Sequence, residues 1–265
     1  MNKASIAFKG TMTALAGLAV SLSAEGAVSY TTPGQSYTQD FNSLSGEAGS
    51  HAWANNSTIG GWYGAQGTTN RTLYEAAAGG GGNQGDLLSL GASGSGDRAL
   101  GGQSPDSGAT MYLALSLSNA SGSDMTAFTL SYAGEQWRAI ANEVADQMSF
   151  QYQVFAAGTG DITLATGWTS VPTLGFVAPV TVTSSGAVNG NTAGQVPVSG
   201  TVSGISWGNG QELWLRWSDE NPGGSGQTRA MLGIDDVNFS AVPEPGSLLL
   251  SAFGVGALLF RRRVS

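Results

Sequence analysis

The chain has 265 residues, enough for one large sandwich or barrel or for two small domains. It holds 41 glycines, no cysteine and one histidine, His51, which excludes a disulfide framework, a cysteine nucleophile, a thiolate metal site and a multi-histidine zinc centre. The formal net charge is −8, and between Val28 and Pro243 five arginines and no lysine face sixteen acids, a net −11 that argues against nucleic acid and anionic membranes as partners.

Residues 1–27 read as an export signal. Lys3 and Lys9 give a basic start, residues 12–22 (MTALAGLAVSL) form an apolar stretch, and small residues at Ser23, Ala24, Gly26 and Ala27 offer a peptidase site. Signal peptidase is therefore an expected partner during export.

Residues 28–241 read as one all-β unit. Met111, Leu113, Leu115 and Leu117 alternate with smaller or polar residues. Phe128, Leu130 and Tyr132 repeat the pattern, as do Met148, Phe150, Tyr152 and Val154, and then Leu213, Leu215 and Trp217. A period of two is the mark of a half-buried strand. Spacers rich in Gly, Ser and Asn, such as 79–83, 91–96, 118–124, 184–194 and 221–226, separate these runs. The pattern predicts an antiparallel sandwich and no βαβ unit. Residues 181–202 are poor in large apolar side chains and read as a long loop or an edge hairpin.

Three groups of residues could carry chemistry. Asp235 and Asp236 sit inside an apolar final strand, so one of them is expected to face inward or to an edge and to need a cation or an arginine. Glu135 and Asp219 could form a glycosidase-type carboxylate pair; with Arg138 and Arg216 close by in sequence, internal ion pairs Glu135–Arg138 and Arg216–Asp219 are the simpler expectation. His51 stands without a nucleophile elbow nearby, and no catalytic residue is assigned. The tryptophans Trp53, Trp62 and Trp214 could either fill the core or stack on sugar rings, the latter requiring exposure.

The tail runs in three parts: Pro243-Glu244-Pro245, an uncharged apolar segment over 246–260, and Arg261, Arg262 and Arg263. As a helix the apolar segment is about 22 Å long, short of a ~30 Å hydrocarbon layer, and the arginines would hold its end on the cytoplasmic side. The membrane is expected to be touched only through this helix. An ordinary anchor explains the helix and the arginines but gives no reason for a proline-flanked glutamate.

This order resembles the PEP-CTERM sorting signal of Gram-negative bacteria, here over 242–265. The resemblance implies exosortase as a second export partner, acting near Pro243, Glu244 and Pro245, with Arg261 to Arg263 as the stop-transfer cluster. The strings QDFNSL (39–44), WANNSTIGGW (53–62), YAGEQWR (132–138), LWLRWSD (213–219) and GIDDVNF (233–239) resemble the jelly-roll ectodomain of such exported proteins, itself similar to carbohydrate-binding sandwiches. Modules of that kind imply a structural Ca²⁺ between the first and last strands, which would bring Asp40 or Asn42 near Asp235, with Asp40, Asp235 and Asp236 as the possible ligands. The expected function is that of a cell-envelope or extracellular-matrix protein, structural or adhesive and not an enzyme. A carbohydrate-binding module associated with exopolysaccharide in a biofilm is the alternative, and a secreted glycan-cleaving enzyme a weaker one.

Overall fold

A computed structural model describes residues 26–82, 85–105, 107–141, 145–219 and 229–243. The apolar stretch over 12–22, expected as the signal helix, the predicted helix over 246–260 and the cluster Arg261 to Arg263 lie outside the described residues. No helix among the described residues is long and apolar enough to cross a membrane.

Among the described residues seventeen strands follow one another: β1 (Val28–Tyr30), β2 (Tyr37–Gln39), β3 (Ser50–Ala52), β4 (Trp62–Gln66), β5 (Thr69–Asn70), β6 (Leu73–Ala77), β7 (Leu87–Leu90), β8 (Ala99–Gly102), β9 (Met111–Asn119), β10 (Met125–Ala139), β11 (Gln147–Phe155), β12 (Thr169–Ser170), β13 (Phe176–Val177), β14 (Gly186–Ala187), β15 (Gln195–Trp207), β16 (Glu212–Asp219) and β17 (Met231–Val242). They form two sheets. The eight-stranded sheet runs β12-β11-β16-β9-β4-β5, with β1 along β9 and β13 on β11. The nine-stranded sheet runs β14-β10-β17-β8-β7-β6-β3, with β15 on β10 and β2 on β17. Pairing is antiparallel except between β1 and β9 and between β6 and β7, where short parallel contacts form. The expected all-β sandwich is what the chain builds.

The inner faces hold the alternating residues read from the sequence. Leu113, Leu115 and Leu117 of one sheet meet Phe128, Leu130 and Tyr132 of the other, with Phe150, Leu213, Leu215 and Trp217 between. Trp217 is the hub: Trp62 stacks on it at 5.7 Å, while Tyr132 and Phe150 meet it edge-on at 5.6 and 5.2 Å. Buried aromatics of this size are worth roughly 3–5 kcal/mol each against truncation.

The outer faces depart from a polar surface. Behind the eight-stranded sheet, Ala65, Ala114, Phe155, Ile162 and Trp214 form a second small core. Behind the nine-stranded sheet, Leu88, Leu90, Ala99, Trp137 and Met231 form a third. Each is capped by a loop whose glycine lies flat on an indole: a Cβ on Gly160 would stand 2.2 Å from Trp214 Nε1, and one on Gly190 would stand 2.2 Å from Trp137 Nε1. Each indole in turn donates to a glutamate two residues back on its own strand, Trp214 to Glu212 at 2.9 Å and Trp137 to Glu135 at 2.7 Å. Two residues along a strand means the same face, so each indole N–H finds its acceptor within its own Glu-x-Trp unit under the lid.

Residues 181–202, expected as a loop or edge hairpin, supply the short β14 and the first part of the edge strand β15.

Candidate functional site

The junction between the sandwich and its tail is built from both ends of the domain. β17 lies inside the nine-stranded sheet, between β10 and the strands β8 and β2, and ends at Val242. Pro243 follows at once; Glu244 and Pro245 lie outside the described residues. The Tyr30 hydroxyl accepts the Ala241 N–H at 2.8 Å and lies 2.9 Å from the carbonyl oxygens of Ala241 and Gln35. The Gly34 N–H donates to the Ala241 carbonyl at 2.8 Å. The last strand is therefore held to within two residues of the first tail proline.

The acidic residues divide between two places. β2 pairs with β17 so that Gln39 faces Val237, which puts the segment holding Asp40 beside Asp236 and not beside Asp235. Asp40 and Asp236 line one shallow groove of about 270 Å³ with Thr38 and Asn238. Asp235 is elsewhere. Asp236 has φ +50° and sits in a bulge where β10 and β17 slip register, between Ser131 and Ala133. The bulge switches the alternation, so that Leu232 and Ile234 before it and Val237, Phe239 and Ala241 after it all face the core. Neither aspartate enters the core, contrary to the simple alternation expected from adjacent positions.

Asp235 instead joins Glu135 behind the nine-stranded sheet. It is 3% exposed and Glu135 1% exposed. Burial pushes Glu135 up to about 7, against the bond from Trp137, with Asp97 and Asp236 adding to the rise. Burial likewise pushes Asp235 up to about 8, against the Asp236 N–H, with Glu135, Asp236 and Asp97 raising it further. The rim is closed by a bond between the Asn191 side chain and the Asp97 carboxylate. Asp40, Asp235 and Asp236 are thus not gathered into one donor set. Among the described residues no group of three or more His, Cys, Asp or Glu is placed to hold a metal ion. Asp40 accepts the Asn42 N–H through one carboxylate oxygen at 3.2 Å.

The expected arginine pairs do not form, for a geometric reason: residues three apart on a strand face opposite sides. Arg138 donates to the Gly79 carbonyl. Arg216 lies on the outer face of β16, 3.9 Å from the Trp168 ring centroid and 4.6 Å from that of Tyr112, and donates to Gln151 and to the carbonyls of Ile162 and Leu164. Asp219 lies between the sheets, where Ser104 donates to it through N–H, and burial raises its carboxyl well above the usual range. Glu135 and Asp219 therefore face no common cleft.

Trp53, Trp62 and Trp214 are 3%, 0% and 2% exposed. None offers an open face, so a platform made of these three rings is replaced by core packing. One aromatic ring that stays partly accessible is Tyr63, which lies 4.4 Å from that of Trp214. Its phenol is pushed up by burial, against a bond with Asn56. Tyr63 opens onto a groove of about 340 Å³ whose walls are Thr68, Asn70, Asp161, Thr163 and the edge of Trp214. Tyr63 and Asn70 were not among the residues singled out from the sequence. The detectable signal was the polar-side alternation of β4 and β9, where Tyr63 and Tyr112 hold positions that a solvated face would give to Ser or Thr.

The chain carries a PEP-CTERM protein-sorting motif over residues 241–263, which implies export, sorting to the envelope or exterior, and processing by exosortase. The body is an all-β sandwich with carbohydrate-binding-module-like neighbours. Among solved structures it is similar to TmCBM61 in complex with β-1,4-galactotriose, at 10% identity and TM-score 0.29 over 56% of this chain and 74% of that one. It is similar to a CBM4 structure at 15% identity and TM-score 0.32, over 68% of this chain and 94% of the other. The K1 cleaved adhesin domain of Lys-gingipain from Porphyromonas gingivalis W83 aligns at 14% identity and TM-score 0.27, covering 78% of this chain and 99% of that domain. No curated protein matches the sequence.

Proposed function

We propose that this chain is a structural or adhesive protein of the cell envelope or extracellular matrix, with a non-enzymatic sandwich as its working part. Signal peptidase removes residues 1–27, the segment 246–260 holds the tail in the membrane before processing, and exosortase acts near Pro243-Glu244-Pro245. One observation carries this reading: the last core strand ends at Val242, directly before the first motif proline, so cleavage at the motif leaves the body whole. Intact mass spectrometry of the protein from wild-type cells and from cells lacking exosortase is the test. The wild-type protein should have lost Arg261 to Arg263 and the mutant protein should keep them. A wild-type chain that retains the arginines overturns the reading.

A second reading, binding to exopolysaccharide, is favoured by the groove at Tyr63. A half-exposed aromatic ring beside Thr68, Asn70 and Asp161 offers a sugar one apolar face and several hydrogen-bonding groups. In affinity electrophoresis through the producing cell's own polysaccharide, the wild-type protein should be retarded. Asn70→Ala and Asp161→Ala should each weaken the retardation several-fold at unchanged Tm. Mobility unaffected by the polymer would end this reading while leaving the sorting claim intact.

A further inference from the structure

The two sheets end in strands of very different length. β3, β5, β12 and β14, which close the ends of the sheet paths, have three, two, two and two residues. Such short edges are a common protection against pairing with another chain. β15 has thirteen residues, and among the described residues β10 is its only strand partner. Its sequence, QVPVSGTVSGISW, contains no charge and in particular none of the edge lysines that discourage association.

The hydrogen-bond phase of this edge follows from one bond. Gln136 N–H donates to the Gly194 carbonyl at 2.9 Å, and the next pair in register is Glu135 with Gln195. In an antiparallel ladder bonded and non-bonded pairs alternate. Val196, Val198, Gly200 and Val202 are then bonded to β10, while Pro197, Ser199, Thr201 and Ser203 turn their backbone groups away from it. Pro197 fits that phase, because its missing N–H falls on the outward side. The open strip has a stop at each end. Pro197 closes one, and the bulge after Ser203, with Gly204 at φ +76°, closes the other.

Between these stops the sequence is Ser199-Gly200-Thr201-Val202-Ser203, whose outward positions read Ser, Thr, Ser about Thr201. We infer that this strip pairs, antiparallel and about a two-fold axis at Thr201, with the same strip of a second copy of the chain. Thr201 then faces Thr201 of the second copy and Ser199 faces its Ser203, and each facing pair exchanges two backbone hydrogen bonds. Hydroxyl residues meet across the new seam, a favourable cross-strand combination. The charge distribution permits the approach. The adjoining outer-face residues are Thr129 and Ser131 on β10 and Asn238 and Ser240 on β17, so an otherwise acidic protein presents an uncharged strip to its copy. The seam joins two nine-stranded sheets into one continuous sheet across the dimer.

The test uses the absence of cysteine in the full-length chain. Facing residues in a bonded antiparallel pair lie about 5.5 Å apart at Cα, within the span of a disulfide. Under mild oxidant Thr201→Cys should give a covalent dimer. Ser199→Cys or Ser203→Cys alone should link far more slowly, and a mixture of the two should link to each other. Sedimentation should show concentration-dependent dimers for the wild-type chain and monomers for Thr201→Lys, with Tm unchanged because this side chain is exposed and its N–H points away from β10. Association through the tail would survive Thr201→Lys, and that result counts against the edge. Equal cross-linking of all three single-cysteine variants overturns the proposal, as does a wild-type chain that is monomeric at every concentration.

Discussion

The Trp137 indole donates to Glu135 at 2.7 Å on a face where Asp235, on the neighbouring strand, is also buried. Among the described residues the Trp137 indole N–H donates to Glu135 and the Asp236 N–H donates to Asp235. Burial holds them to about 7 and about 8, against ordinary values of 4.5 and 3.8. The folded state therefore keeps protons that the unfolded chain has released.

That difference sets the direction of the pH response. Where the native state binds more protons, stability falls as pH rises. The contribution is complete below about pH 4, declines across the window from the ordinary carboxyl values to about 8, and changes no further above it. Unfolding free energies from denaturant melts should therefore be lower at pH 9 than at pH 5, by several kcal/mol for the pair. Glu135→Gln with Asp235→Asn should flatten the profile, since an amide oxygen can still accept from Trp137. A wild-type profile that rises across this window contradicts the assignment.

The loop glycine over that indole should be equally exacting. In Gly190→Ala the new methyl must displace the Trp137 ring or lift the loop, a cost of roughly 1–3 kcal/mol for overpacking. Lifting the loop admits water to Glu135, so the variant's pH profile should shift toward the ordinary carboxyl range. Thermal melts across pH check both effects together.

On the opposite face, Arg216 should resist conservative replacement. Its guanidinium stacks between Trp168 and Tyr112 while donating to two carbonyls of the covering loop. Lysine keeps the charge but not the planar fork. Arg216→Lys should lose about 2 kcal/mol, from broken bonds to a charged donor and lost stacking. It should also open residues 156–168 to limited proteolysis, with a change in Trp168 fluorescence.

Tyr30→Phe should act at a distance in sequence. It removes the acceptor of the buried Ala241 N–H, which costs about 1–3 kcal/mol when left unmade. Hydrogen exchange at Ala241 should accelerate more than at Phe239, which pairs with both Leu130 and Tyr37. Uniform acceleration along β17 would mean that the tyrosine supports the whole sheet and not its end.

Much of the body could be read from alternation alone. Leu113, Leu115 and Leu117, like Leu213, Leu215 and Trp217, point where a period of two requires, because one face of each strand meets the main core. The same rule misled at Trp214 and Glu135. Their faces should have been wet, but loops distant in sequence cover them, and strand periodicity carries no information about loop paths. At Asp235 and Asp236 the phase change from Leu232 and Ile234 to Val237 and Phe239 was visible, and it marks the bulge that keeps both acids out of the core. The arginine pairings failed because nearness in sequence was given more weight than the side a residue faces.

β17 enters the sheet at Met231 and leaves it at Val242, where the first strand's Tyr30 meets it. The polypeptide thus comes in and goes out at one corner of the molecule. The tyrosine that anchors the last strand therefore sits at the same corner from which the sorting motif runs on.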